Sequence, residues 1–364
     1  MSNSEYYLLT SGVLINYNGG VIVKKVLSLV LLVVFMSTLL FGCGQKQSAN
    51  EGNKEAPAQG QETKEDTKAV VLKLSHVGGT DHAYQKGAEM FRDIVKEKTN
   101  GAVDIEIFPA NQLGTQQEVT EGIQLGTVDL AIVADDALAT LVPEMGALGM
   151  PFLFKDTDDV YNTLNGEVGD VLAKKLESKN VILMSWLENG FRNITNNKKP
   201  IVVPEDLTGI KIRTSSTKPN MMAFNTYGAS ATNIAFSELY NALQVGVVDA
   251  QENPFTNILD KKFYEVQKYM SVSGHVHTAE PMIMSKKAYG KLTPEQQTIF
   301  VEAGKEVSKW AFENAKENYT KELEELKGLM EVNEVDREAF IKASQPVYDE
   351  YYDKYKEILD MIRK

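Results

Sequence analysis

The side chains able to do chemistry are few and widely spaced. The 364-residue chain has one cysteine and four histidines, and its 50 Asp and Glu against 38 Lys and Arg give a formal net charge of −12. His275 and His277 share one face if their segment is a strand, which would permit a metal ion, but no adjacent cysteine or third histidine completes the set. Neither a metal nor a cofactor is expected. His76 and His82 flank the first strand-to-helix loop, where ligands reach α/β lobes. His76 is a candidate binding contact, with a loop or capping role as the alternative for both. Trp186 is a candidate surface for stacking on a ligand, with a place in the core as the alternative. A lone arginine in an acidic chain, such as Arg192 or Arg213, ordinarily makes a surface ion pair. There is no Gly-x-Ser-x-Gly elbow, P-loop or dinucleotide fingerprint, so an enzyme is not expected. The acidic balance, without a block of Lys and Arg, argues against nucleic acid. Any bound anion must be held by a few local cations rather than by an overall field.

Cys43 closes an apolar stretch, Val26 to Phe41, that follows Lys24 and Lys25. This is the grammar of a secretory leader, and with Gly42 before the cysteine it resembles a bacterial lipobox, in which the thiol is lipidated. Phe41 departs from the small residue more usual there. The alternative is an uncleaved anchor, for which about 17 apolar residues is the short limit of a membrane span. Residues 23–42 are thus expected to be a signal peptide. Residues 1–22 are expected to be untranslated, because Gly19-Gly20 can be encoded by a ribosome-binding sequence and Val23 by a GTG start. Residues 43–68 have no aromatic or branched aliphatic side chain to bury and are expected to form a flexible tether.

Val70–Val77 is a β-type run. Tyr84–Lys98 carries a helical apolar face ending at Asn100-Gly101, and Val103–Ile107 alternates as a second strand. Helix over Gln117–Leu125, strand over Val128–Val133, helix over Val160–Lys179 and strand over Val181–Trp186 follow. This alternation predicts an α/β fold with mostly parallel sheets covered on both faces. The pattern restarts with strand Ile210–Arg213, helices Lys218–Tyr227 and Phe236–Leu243, and strand Val247–Ala250. Leu125-Gly126-Thr127-Val128-Asp129 and Val245-Gly246-Val247-Val248-Asp249 each leave a helix through glycine and enter a strand through Val-Asp, as two lobes of like construction would. Pro294 to about Leu329 reads as one helix of about 50 Å, long enough to brace both lobes.

Several segments together resemble the substrate-binding proteins of TRAP transporters, the DctP type. They are Phe108-Pro109 through Gln112-Leu113-Gly114, Gly190–Asn196, Lys199-Pro200-Ile201, Pro204–Arg213, Ala235–Tyr240 and Gln251-Glu252-Asn253-Pro254. The resemblance runs from about Val70 to the C-terminus. It implies a periplasmic-binding-protein-like, two-lobed receptor with crossover strands, closing on a carboxylate-bearing solute and delivering it to an ion-driven membrane permease. Arg213 matches the arginine that forks the substrate carboxylate, Arg192 a second arginine at the lobe crossover, Asn253 an amide donor to the same carboxylate, and Phe236 an aromatic pocket wall. Asp135 matches, more loosely, a position that binds substrate hydroxyls.

The resemblance and the segment pattern together assign residues 69–190 with about 280–318 to lobe I, and 191–279 with about 319–364 to lobe II. An acidic Asp135 would repel a second carboxylate, so a sugar acid such as a uronate or aldonate is preferred over a C4-dicarboxylate. The receptor is expected to be a monomer held outside the cytoplasm by lipid on Cys43, with the TRAP permease subunits as partners. An ABC-type solute receptor and a secreted hydrolase are the alternatives.

Overall fold

The computed structural model describes residues 69–363, so Cys43, the leader and the tether lie outside the described residues. The first half of the fold runs β1 (Val70–Ser75), α1 (Ala83–Lys98), β2 (Val103–Phe108), α2 (Gln116–Leu125), β3 (Leu130–Ile132) and α3 (Asp135–Leu138). A 3-10 segment over Pro143–Gly149 follows, then α4 (Thr157–Leu164), α5 (Glu167–Glu177) and β4 (Val181–Phe191). The second half begins with β5 (Asn193–Asn196) and β6 (Lys211–Arg213), then α6 (Lys218–Thr226), β7 (Ser230–Thr232), α7 (Leu239–Gln244), β8 (Ala250–Asn253) and α8 (Phe255–Asp260). The chain closes through β9 (Tyr269–Val272), β10 (His277–Ser285), α9 (Lys286–Tyr289), α10 (Pro294–Leu329), β11 (Glu331–Glu334), α11 (Arg337–Ala343) and α12 (Gln345–Ile362).

These strands form two sheets, in the orders β2-β1-β3-β10-β4 and β11-β9-β5-β8-β6-β7. Pairings within the βαβ units are parallel, and β10 and β5 run antiparallel to their neighbours. The antiparallel strands belong to the crossovers. Only Arg192 separates β4 in the first sheet from β5 in the second, and β9 returns to β10 through residues 273–276. The Arg192 N–H donates to the Val276 carbonyl at 2.9 Å, tying the two crossing segments to each other.

The helix-Gly-strand echo in the sequence is a structural repeat. Gly126 and Gly246 both adopt left-handed φ, 72° and 73°, which glycine tolerates without steric cost. The aspartates that follow do the same work: Asp129 accepts from the Lys73 N–H at 3.1 Å and Asp249 from the Lys211 N–H at 3.2 Å. The strand β8 begins at Ala250, three residues later than the valine run predicts. The helix expected over Val160–Lys179 is two helices, broken at Asn165-Gly166, where the chain doubles back so tightly that a Cβ on Gly169 would stand 1.8 Å from the Leu164 carbonyl oxygen.

The helix α10 is unbroken over 36 residues and opens with a Thr293–Gln296 capping box. Its first half packs Phe300, Ala303, Val307 and Ala311 against Leu74, Phe91 and Met284 of the first lobe. Its end buries Leu326 with Leu243, Phe255 and Phe263 of the second. Gly304 allows the closest approach, since a Cβ there would meet the Met184 carbonyl oxygen at 2.0 Å, and the Ser185 hydroxyl donates to the Gly304 carbonyl at 2.8 Å. The C-terminal segment, expected in the second lobe, makes contacts on both sides. β11 joins the second sheet, but α12 buries Val347, Tyr355, Ile358 and Leu359 in a core shared by both lobes. Its Glu357 pairs with Lys175 of α5 at 2.9 Å, and the Tyr348 hydroxyl donates to the Pro151 carbonyl at 2.8 Å.

Candidate functional site

The parallel strands of both sheets aim their carboxyl ends at the crevice between the lobes, the usual place for ligands in open α/β sheets. His76 follows β1, Asp135 follows β3, and Arg213 and Asn253 end β6 and β8. Arg213 is 7% exposed. Its Nε donates to the Ile234 carbonyl at 2.9 Å, and its two terminal nitrogens have no hydrogen-bond partner among the described residues. The guanidinium lies 6.0 Å from the centroid of the Phe236 ring and borders a cavity of about 580 Å³ that Asp136, Ser216 and Phe236 also line. Burial, with the neighbouring charge of Arg192, lowers the Arg213 guanidinium to about 10. A carboxylate arriving at its free edge would relieve both effects.

Arg192 is equally buried and fully engaged. Its Nε meets Glu252 Oε2 at 2.5 Å, Nη2 meets Glu252 Oε1 at 3.2 Å and also the Glu252 carbonyl, and Nη1 donates to the Thr278 hydroxyl at 3.3 Å. Glu252 takes two more contacts, the Ser215 N–H at 2.6 Å and His275 Nε2 at 3.1 Å. Burial works to raise the Glu252 carboxyl, but Arg192 and His275 outweigh it and bring it down to about 2. His275 and His277 do not converge: His277 Nε2 lies 2.8 Å from Glu188 Oε2, a different carboxylate.

Asn253 belongs to a row of hydrogen bonds running through the second lobe. Asn257 Nδ2 donates to Asn253 Oδ1 at 3.3 Å, Asn253 Nδ2 to Gln251 Oε1 at 2.5 Å, Gln251 Nε2 to the Thr195 hydroxyl at 2.8 Å, and Thr195 to Gln267 Oε1 at 3.0 Å. The head of the row is His82 of the first lobe, whose Nε2 meets Asn257 Oδ1 at 3.0 Å. His82 Nδ1 accepts from the Tyr84 N–H at 3.1 Å as the N-cap of α1, so the ring is the neutral Nε2–H tautomer. Burial lowers it to about 4, in keeping with that tautomer. Three further bonds hold the lobes together: Gly79 N–H to Asp260 at 3.3 Å, Lys261 to the Val77 carbonyl at 3.0 Å, and Ser216 N–H to Asp136 at 2.7 Å.

The first lobe faces this cationic side with buried carboxyls. Asp135 accepts from the Ala279 N–H at 3.2 Å, and burial next to Asp136 raises it well above the usual carboxylate range. Glu280 is raised likewise by burial, with Asp135 and Asp136 adding to it, and accepts from Asn189 Nδ2 at 3.0 Å. The Tyr84 hydroxyl and the Glu280 carboxyl interact with each other, and Asn189 Oδ1 is buried without a hydrogen-bond partner among the described residues. His76 Nε2 is held by Gln85 at 2.9 Å.

The structure therefore gathers Arg213, Arg192, Asn253, Phe236, Asp135 and His76 at the crevice. It leaves Trp186 out. That side chain is buried in the core on the other face of β4, with its indole nitrogen against Gly169. Glu280, Asn189 and Tyr84 escaped the reading of the sequence. The available signal was Glu280 itself, a carboxylate between Ala279 and the apolar run Pro281-Met282-Ile283-Met284.

Residues 74–355 match the family model of bacterial extracellular solute-binding proteins, family 7, DctP. The chain is 34% identical over 277 residues to the 2,3-diketo-L-gulonate-binding periplasmic protein of Escherichia coli, covering 76% of this chain and 84% of that one. It is 35% identical over 294 residues to the C4-dicarboxylate-binding periplasmic protein of Rhodobacter capsulatus, covering 77% and 86%. A crystal structure of a TRAP periplasmic solute-binding protein from Polaromonas bound to D-erythronate superposes with a TM-score of 0.76 at 36% identity, over 80% of this chain and 98% of that one. Among the described residues, no helix is long and apolar enough to cross a membrane.

Proposed function

The chain belongs to the DctP family of extracellular solute-binding proteins, the receptors of TRAP transporters, and on that premise we propose that its ligand is a sugar acid with a single carboxylate. Arg213 forks the carboxylate, with Asn253 and the Arg192 end of the crevice completing the anion site and Phe236 as a wall. Asp135 and His76 face the hydroxyl-bearing remainder. The observation that carries this reading is the free edge of Arg213, a buried cation whose terminal nitrogens meet no protein acceptor among the described residues. Two relatives support the hydroxy-acid class, one named for 2,3-diketo-L-gulonate and one bound to D-erythronate. The Rhodobacter relative supports a C4-dicarboxylate as the second reading.

The acid is handed to the membrane permease, and the receptor acts as a monomer tethered outside the membrane through lipid on Cys43. Thermal shift and calorimetry across aldonates, uronates and succinate test the ligand, because binding the folded state raises its melting temperature. Arg213→Ala is expected to weaken every carboxylate by more than about a hundredfold, the loss of a charged bidentate contact. A variant that binds as tightly as the parent removes the mechanism. The anchor is tested separately: Cys43→Ser should release the protein from the membrane fraction, and retention there would remove the lipid.

A further inference from the structure

We propose that a cavity beneath the middle of α10, apart from the crevice, is a second binding site, and that it takes an aromatic monocarboxylate. The cavity holds about 450 Å³, room for a small organic ligand. It shares no lining residue with the cavity beside Arg213, and none of the residues assigned above to the carboxylate or its hydroxyls borders it.

The sequence of α10 opens this space. The helix buries Ala311 and Phe312 on one side of the span and Leu326 on the other, and no side chain between them is buried. That is about 21 Å of helix without a core beneath it. Asn314, Ala315, Asn318, Tyr319 and Glu322 recur at helical spacing along one face, and all border the cavity. A helix that builds a core would carry large aliphatic side chains on that face, and here there are none. The facing wall comes from both lobes, as Leu187 to Phe191 at the end of β4 and Pro254 to Thr256 after β8.

The walls match an aromatic body. Trp310, Phe191, Phe255 and Tyr319 contribute rings, and Tyr319, with its centroid 5.2 Å from that of Phe255, is still 47% exposed. The charges around the cavity favour an anionic head. Lys155 and Arg337 border it, both exposed, and neither has a carboxylate partner among the described residues; Arg337 lies 5.1 Å from the centroid of the Phe152 ring. The acids that border it are engaged or largely neutral. Glu188 is held by His277 at 2.8 Å, and Asp156 caps α4 by accepting from the Asp159 N–H at 2.9 Å. Burial, with Glu325 nearby, raises Glu322 to about 7. One negative charge therefore finds two unpaired cations and little repulsion, whereas a cation would find no free carboxylate of full charge.

The test is calorimetric titration of indole-3-acetate into the full-length protein carrying Arg213→Ala. That background removes the anion site of the crevice, so the result does not depend on which acid the crevice takes. Saturable binding with a Kd below about 1 mM is expected. Adding Ala315→Trp, which fills the cavity from α10, should abolish it. Asn318→Trp fills the same space from the next turn and keeps the test alive if circular dichroism melts show that Ala315→Trp does not fold. Lys155→Gln combined with Arg337→Gln should weaken indole-3-acetate about fivefold, the modest contribution of exposed charges, and leave neutral indole unchanged. Absence of saturable binding overturns the site. Binding that survives both tryptophan variants places the acid elsewhere and overturns it too. If indole binds as tightly as indole-3-acetate, the monocarboxylate class is overturned.

Discussion

Arg192 and Arg213 are matched in burial, at 4% and 7% exposure, and opposed in partnership. Arg192 donates to both oxygens and the carbonyl of Glu252 and to Thr278, at the point where β4 becomes β5. Arg213 donates one bond, to a backbone carbonyl. The pairing holds the Arg192 guanidinium above its ordinary value against the pull of burial, while Arg213, unpaired and facing Arg192, is lowered to about 10. A buried charge with its counter-ion built in is already balanced before any ligand arrives. One without it is an incomplete pair that a ligand can complete.

Replacing each arginine by methionine is the strongest way to break this contrast. Arg192→Met leaves Glu252 buried without its cation and is expected to cost about 3–5 kcal/mol of stability in urea melts without ligand, whereas Arg213→Met strands no carboxylate and should cost under about 1 kcal/mol. Equal losses would show that the two residues do the same job.

The next effect is on pH. The His82 cap requires an unprotonated Nδ1, whereas Nε2–H donates to Asn257 in either form, and burial against the second lobe lowers the ring to about 4 from an ordinary 6.5. The bound, closed state is therefore fully favoured above pH 6.5. It loses ground as the pH falls toward 4, because the open form takes up the proton first. Ligand affinity by calorimetry should drop by up to about tenfold per pH unit in that window, and His82→Gln should flatten the profile. Arg213→Lys keeps the charge but not the fork, and is expected to weaken the ligand by roughly ten- to a hundredfold. The smallest effect belongs to an ion pair in water. Lys268–Glu331, about 60% exposed on both sides at 3.1 Å, should show no resolvable coupling in a double-mutant cycle at physiological salt.

What the sequence discloses follows the range of the interactions involved. The turns at Gly126 and Gly246 are local backbone events, so glycine in the right place announces them, as Asn100-Gly101 does with its φ values of 50° and 76°. The arginines and Asn253 were legible through motif resemblance rather than through their own spacing. Glu252 stood inside the motif Gln251-Glu252-Asn253-Pro254, but its partner Arg192 lies 60 residues away, and nothing local marks that pairing. Tyr84, Asn189 and Glu280 come from three elements, and only the strand register, with its β-bulge at Asn189, brings them together. For Trp186 the sequence left both stacking and a place in the core open, because its nearness to the crossover along the chain says nothing about which face of β4 it occupies. The doubling back at Gly166 was missed because the apolar period continues on both sides of it.

The row from His82 through Asn257, Asn253, Gln251 and Thr195 to Gln267 has one direction: every member donates to the next and accepts from the one before. Dipoles aligned head to tail strengthen one another, so no single amide can turn over without opposing both neighbours. The Asn253 side chain is thus oriented before any acid arrives, and the entropy of fixing it is lost at folding rather than at binding. Only the first link, His82 to Asn257, spans the two lobes, so separating them removes the donor at the head while the rest of the row keeps its sense.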